Sequence, residues 1–324
     1  MLLGMETFSY HLAFQARKMD VFDFIRRCAE LGLDGVQLNA EGPGPGHLGS
    51  HDMGHLQAIR DMTRDLGLFV EVDTQGTDPK HLATMLSICD GVGADVLRTF
   101  ASCGGDLSQE LTQAPQHLRE VVPMCADLGI HIALENHEYE TAQDVLKVVR
   151  QVDSEWVGTH VDIGNCMMVW EEPVAAVSAL APYAVSSHFK DHVVVMEDKE
   201  PLIVGVAVGT GSIDCAECFR ILAEESPLKR IIIEVCYAYS VPFRRPQRQG
   251  AGGQLGEGAF RVVEGPFDPS WIPPTISQVS DSHQWWLSLD DYLASPEGKS
   301  MIQWEHNAVV ESVAFVKKLN EAYQ

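Results

Sequence analysis

A short apolar run, a polar turn and an amphipathic stretch closing on Leu-Gly or Val-Gly recur about eight times along this chain, the alternation that builds a parallel sheet. The first unit runs from "LLGMETFSY" into "DVFDFIRRCAELG". "GVQLNA", "LFVEVDT", "DVLRTFAS", "HIALENH", "WVGTHVDIGN" and "VSSHFKDHVV" each lead into a helical stretch in the same way. The last strand, "RIIIEVCYAY", reaches its helix "EHNAVVESVAFVKKLNEAY" only after a long detour. Glycine just past several amphipathic stretches marks their ends. Eight such units in 324 residues, somewhat above the ~250 typical of the class, predict an α/β fold, a (β/α)8 TIM barrel with long βα loops on its C-terminal face. The competing arrangement, an open doubly wound sheet, normally carries a Gly-rich phosphate fingerprint after its first strand, and "SYHLAFQ" is not one.

The excess length falls in three segments that follow strands. These are "EGPGPGHLGSHD" (41–52), "VMEDKEPLIVGVAVGTGS", and the stretch from Val241 to Ser280 containing "FRRPQRQGAGGQLGEGAF". All three are read as loops on the catalytic face of one domain spanning 1–324, with 241–280 as a lid or arm insertion. Arg244, Arg245 and Arg248 in that insertion suggest contact with a polar or anionic substrate. His47 and His51, on the first of the loops, are surface histidines or part of a cover over the site.

A formal net charge of −23 repels phosphate backbones, so no nucleic-acid partner is expected. The eight cysteines are scattered among apolar neighbours and read as buried small hydrophobes of a reducing compartment. "CAEC" (Cys215 to Cys218) has no second pair with which to form a zinc ribbon. The N-terminus lacks a basic segment and a cleavage pattern, and no apolar run approaches the ~20 residues of a membrane helix. A cytoplasmic protein with no membrane partner is expected, and a homo-oligomer or a small accessory subunit is left open.

Alternate residues of a strand share a face. In "HIALENH", Ile132, Leu134 and Asn136 point one way, and Glu135 and His137 the other. "THVDIG" places His160 and Asp162 together, "SSHFKD" pairs His188 with Lys190, and Glu234 ends the aliphatic "RIII" run. Singly, a strand-end Glu is commonly a salt-bridge partner and an Asp before Ile-Gly a turn residue. On four consecutive barrel strands, Glu135, Asp162, His188 and Glu234 concentrate charge that, unpaired, would be costly. Three carboxylates and one imidazole suit one hard or borderline divalent ion, Mn²⁺ first, with Mg²⁺ or Co²⁺ also compatible.

These strand ends, with "ALENH", "HVDIGN" and "HFKD" around them, resemble the xylose isomerase-like TIM barrels, a superfamily of sugar isomerases and epimerases, DNA-repair endonucleases and lyases of oxidised sugars. The resemblance implies that Glu135, Asp162, His188 and Glu234 bind a catalytic metal. Asn165 stands where the epimerases of the tagatose type and the endonucleases keep a His. With His137 beside Glu135 and the Arg/Gly-rich segment after the last strand, the chain looks more like the keto-sugar lyase branch, the C-glycoside deglycosidase or oxo-isoapionate decarboxylase type. The implied activity is metal-dependent cleavage of a keto sugar or sugar-derived keto acid through an enolate, with isomerisation or epimerisation at the same site as the alternative. His137 is the expected acid/base group, with Glu135 and Glu234 sharing proton transfer. Lys190, Arg98, Glu71 and His160 are the expected substrate contacts, the alternatives being a solvated Lys190, Arg98 and Glu71 paired in the barrel interior, and His160 one layer below the metal as a partner of its ligands. The Gly-rich "GTGSID" turn offers backbone donors for a substrate oxygen. A barrel serving only as a binding subunit is the reading from another class.

Overall fold

Eight parallel strands close into a barrel in the order β1, β10, β7, β6, β5, β4, β3, β2. In chain order they are β1 (Leu2–Glu6), β2 (Gly35–Asn39), β3 (Phe69–Asp73), β4 (Val96–Thr99), β5 (His131–Glu135), β6 (Val157–Asp162), β7 (Ala184–Phe189) and β10 (Arg230–Ile233). The computed structural model describes residues 1–40, 46–102, 104–197, 199–263 and 296–323. The architecture is the expected (β/α)8 TIM barrel.

The amphipathic helices that follow the barrel strands turn their apolar stripes toward the sheet. The helices are α1 (His11–Gln15), α2 (Val21–Glu30), α3 (Met53–Leu66), α4 (Pro79–Val92), α5 (Leu107–Leu128), α6 (Ala142–Val152), α7 (Pro173–Leu180), α8 (Cys215–Glu224) and α9 (Pro296–Glu321). α6 opens with a reciprocal capping box between Thr141 and Asp144. α3, α4 and α5 end on Gly67, Gly93 and Gly129, all left-handed at φ 71°, 79° and 69°, a conformation in which a side chain is strained. This is the physical content of the recurrent Leu-Gly and Val-Gly endings.

One segment departs from the loop reading. The run after β7 forms a hairpin of β8 (Asp191–Glu197) and β9 (Glu200–Val206), joined by β11 (Ser240–Pro242) in an antiparallel sheet of order β11, β9, β8. Val193, Val204 and Val206 are buried with Leu12 and Met301 in a small second core. The β-branched pairs were the strand signal that its place after a barrel strand obscured.

Cys215 and Cys218 both lie buried on α8, and the seven described cysteines are free and buried. Among the described residues no helix is long and apolar enough to cross a membrane. Of the expected insertion, 264–280 lies outside the described residues, as does 41–45 of the loop after β2.

Candidate metal centre

Alternation along β5, β6 and β7 turns Glu135, Asp162 and His188 into the barrel while Leu134, Val161 and Phe189 pack outward, and Glu234 follows the last residue of β10. The four side chains are buried and meet at one imidazole nitrogen. His188 Nδ1 lies 3.3 Å from Glu135 Oε1, 3.5 Å from Asp162 Oδ2 and 3.1 Å from Glu234 Oε2. None of these four atoms makes a hydrogen bond of acceptable geometry to the described residues. Neighbouring donors of a six-coordinate ion with bonds near 2.1 Å stand about 3 Å apart, so this spacing and this donor set fit a divalent cation. Glu135, His160 and His188, and likewise Asp162, His188 and Glu234, each bring ligand atoms within 4.8 Å of one another.

The surrounding charges hold Asp162, Glu234 and His188 ionised, although burial disfavours charge on each of the three. His188 and Lys190 outweigh it for Glu234, and Lys190 and His188 for Asp162, so both carboxyls stay well below the usual carboxylate range. Burial likewise disfavours a charged His188, yet Glu234, Asp162 and Glu135 hold the imidazole well above its ordinary value. Lys190 Nζ sits 2.8 Å from Asp162 Oδ2, contacts Glu234, and is 3.4 Å from Asn165 Oδ1. Metal loading at such a site therefore competes with protons and with the Lys190 ammonium.

Arg98, expected as a substrate contact, is buried in ion pairs. Its guanidinium binds Glu135 Oε2, reaches Asp73 Oδ2 at 3.4 Å and lies over the Phe100 ring. It thereby leaves Glu135 Oε1 for the centre. His160 is wholly buried, edge-on to His188 with ring centroids 4.1 Å apart, and 3.7 Å from Glu135 Oε1. Burial, with His188 and Arg98 nearby, keeps it well below its ordinary pKa and therefore neutral. His137 stacks flat on Phe100 at 3.9 Å, is partly exposed and makes no hydrogen bond to the described residues. Burial lowers its pKa, against the pull of Glu135 and Glu138.

Three groups considered for substrate contact have protein partners instead. Glu71 is paired in the barrel interior, the second of the two places considered for it. It accepts from Gln37 Nε2 at 2.8 Å and Ser186 Oγ at 2.5 Å, and Arg230, from the opening residue of β10, pairs with it at 2.6 Å. Two residues on along the same face, Asp73 takes that place beside Arg98 and Asn39, and burial raises its carboxyl to about 6. The backbone donors of "GTGSID" are also committed, since Gly209, Gly211 and Ile213 donate to the Asp191 carboxylate at 3.0, 2.7 and 3.2 Å. Arg244 and Arg245 form a clasp rather than facing a substrate. Arg244 and Tyr239 bind Glu138, and Arg245 donates to the Tyr139 carbonyl at 2.5 Å. Phe243 stacks on Trp170 at 3.7 Å, so the described part of the segment is docked. Arg248 is exposed, and His47 packs half-buried on Phe14 at 4.3 Å.

Glu6, Gln37, Asn39 and Asp73 were missed from the sequence. Gln37 and Asn39 alternate with aliphatic residues in "GVQLN", the same signal that singled out Glu135 and Asp162. Burial and the neighbouring Asp73 hold the Glu6 carboxyl well above its ordinary value.

Residues 25–254 match the family described as xylose isomerase-like TIM barrel. An uncharacterised Escherichia coli protein, YihM, is 24% identical over 195 residues, 60% of each chain. The 3-oxo-isoapionate decarboxylase of Pectobacterium atrosepticum is 30% identical over 162 residues, 49% of this chain and 58% of that protein. Either match covers less than two thirds of the relative. Among solved structures, D-psicose 3-epimerase of Clostridium cellulolyticum, determined with D-tagatose, superposes with a TM-score of 0.56 at 16% identity over 90% of this chain and 99% of that one. The IOLI protein with a bound zinc atom superposes with a TM-score of 0.58 at 15% identity, covering 73% and 90%. At such identities these two show likeness of fold. With the family match spanning most of a closed eight-stranded parallel barrel, the chain belongs to the xylose isomerase-like TIM-barrel family.

Proposed function

We propose that this protein is a divalent-metal-dependent lyase that cleaves a C–C bond beside the carbonyl of a keto sugar or sugar-derived keto acid, by decarboxylation or by C-glycoside cleavage. The observation that carries the reading is the convergence of Glu135, Asp162 and Glu234 on Nδ1 of His188 with His137 at the mouth. The relative whose name specifies decarboxylation of 3-oxo-isoapionate supports the lyase side. A divalent cation held by the quartet, Mn²⁺ first and Mg²⁺ or Co²⁺ as alternatives, supplies Lewis-acid stabilisation of the negative charge that develops on a carbonyl oxygen.

The chain's own residues supply the rest. His137 is uncharged near neutral pH and its ring is held flat by Phe100, so it takes a proton from a substrate hydroxyl or α-carbon and returns it to the product carbon. Lys190, which stands beside Asp162 and Glu234 at the centre, would donate to a substrate oxygen. Arg98 keeps Glu135 turned toward the centre from behind.

Turnover of a panel of keto acids and keto glycosides in deuterated water tests the proposal. A lyase releases CO₂ or an aglycone and leaves a shorter or eliminated sugar. Rapid interconversion of common ketoses and aldoses, with a same-mass product carrying deuterium and the keto acids inert, replaces it with an isomerase or epimerase.

A further inference from the structure

Four polar side chains form an unbroken line through the barrel interior, from the opening residue of β10 to the candidate metal centre. Arg230 Nε pairs with Glu71 Oε1 at 2.6 Å, Gln37 Nε2 donates to Glu71 Oε2 at 2.8 Å, and Gln37 Oε1 lies 2.5 Å from His188 Nε2. Gln37, Glu71 and His188 are buried, and Arg230 is largely so. At the outer end Arg230 also pairs with the exposed Asp95 at 2.5 Å.

The chemistry of each link leaves only one direction for the hydrogen bonds. An arginine only donates, and an ionised glutamate only accepts. Glu71 is therefore an acceptor with Arg230, Ser186 and Gln37 all directed at it. Gln37 must turn its amide NH₂ toward Glu71, which leaves its carbonyl oxygen facing His188. A carbonyl accepts, so the proton of that imidazole sits on Nε2. A neutral His188 then presents the lone pair of Nδ1, the atom on which the three carboxylates converge.

We infer that Gln37, anchored by Glu71 and Arg230, is a positioning residue that selects the metal-binding tautomer and ring orientation of His188. This assignment rests on the metal site proposed above. It also accounts for Glu71, whose charge would otherwise be an unexplained cost in the barrel interior. A cation displaces the Nδ1 proton of the charged ring; with the relay the remaining proton stays on Nε2 and the ring keeps its orientation, and without it each binding event must fix both.

The measurement is the dissociation constant for Mn²⁺ alone, from free-ion electron paramagnetic resonance, alongside thermal unfolding of the metal-free protein. Gln37→Met keeps the volume and removes both hydrogen bonds. Its expected effect is a loss of about 10–100-fold in Mn²⁺ affinity, the usual consequence of removing an outer partner of a ligating histidine. Glu71→Gln is the second variant, with an expected loss in the same direction because the Gln37 amide is then free to turn over. Ser186→Ala removes a different bond to Glu71, and its Mn²⁺ affinity is expected to stay within about twofold of wild type. A Gln37→Met protein that melts earlier yet binds Mn²⁺ as tightly as wild type shows Gln37 to be merely structural, overturning the inference while the metal site stands. A wild-type protein that binds no divalent metal overturns both.

Discussion

The Lys190 ammonium lies 2.8 Å from Asp162 Oδ2 and also contacts Glu234, so a single cationic side chain stands between two of the four ligand-type groups. It reaches them because Lys190 follows His188 by two residues and shares its inward face. The pair, fully desolvated, sets both the stability of the protein without metal and the competition a metal meets.

Replacing Lys190 by Met leaves two buried carboxylates without this partner. The metal-free variant should lose on the order of 3–5 kcal/mol of unfolding free energy, and saturating Mn²⁺ should recover part of it, more than it adds to wild type. Urea denaturation of both proteins, with and without Mn²⁺, checks this. Equal metal-free stabilities would remove Lys190 from the charge balance.

The ligand quartet predicts a clear loss of function. Glu135→Gln and Asp162→Asn should each sharply reduce bound divalent metal by elemental analysis and abolish turnover, with His188→Ala acting in the same direction. Wild-type metal content and activity in the first two would dismiss the centre.

Proton transfer by His137 separates from metal binding. His137→Asn should retain the metal and lower turnover by about 10²–10⁴-fold, the range for a lost general acid or base. A rate within a few-fold of wild type would leave His137 with a packing role on Phe100 and pass the task to Glu135 or Glu234.

Glu140 predicts a pH dependence of stability. Its carboxylate accepts from Ser102 N at 2.7 Å and Ser102 Oγ at 3.1 Å, tying the loop after β5 to the loop after β4, and burial raises its pKa from 4.5 to about 7. A carboxyl raised on folding binds its proton more tightly in the native state. Its contribution is therefore complete below about 4.5 and is lost as pH rises through about 7. The loss is on the order of 3 kcal/mol, at about 1.4 kcal/mol per unit. The stability of wild type relative to Glu140→Gln should decline across that window, and a flat difference from pH 4.5 to 7.5 would refute it.

Much of the architecture was legible along the chain. Apolar alternation identified the strands, amphipathic spacing and terminal glycines the helices, and their repetition the barrel. Because a strand's side chains alternate, the same pattern turned Glu135, Asp162 and His188 inward before any partner was known. Of the hairpin after β7, the start of the first arm was read as the end of a barrel strand and the second arm as a loop, although Val204 and Val206 carried a strand signal.

Depth and partnership were decided only by the closed barrel. Glu71 and Asp73 share a face, so alternation cannot tell which reaches the mouth. Neighbouring strands do so: Arg230 draws Glu71 toward the opening end of β10, and Arg98 on β4 stands beside Asp73 on β3. Arg244 and Arg245 looked like substrate-binding cations until the fold brought Glu138 and Tyr139 against them. Gln37 gave no sign of touching His188, 151 residues further along the chain. Local sequence sets which way a side chain faces because the backbone has a period of two. What it meets depends on strand register and barrel closure, which join residues with no covalent neighbourhood in common.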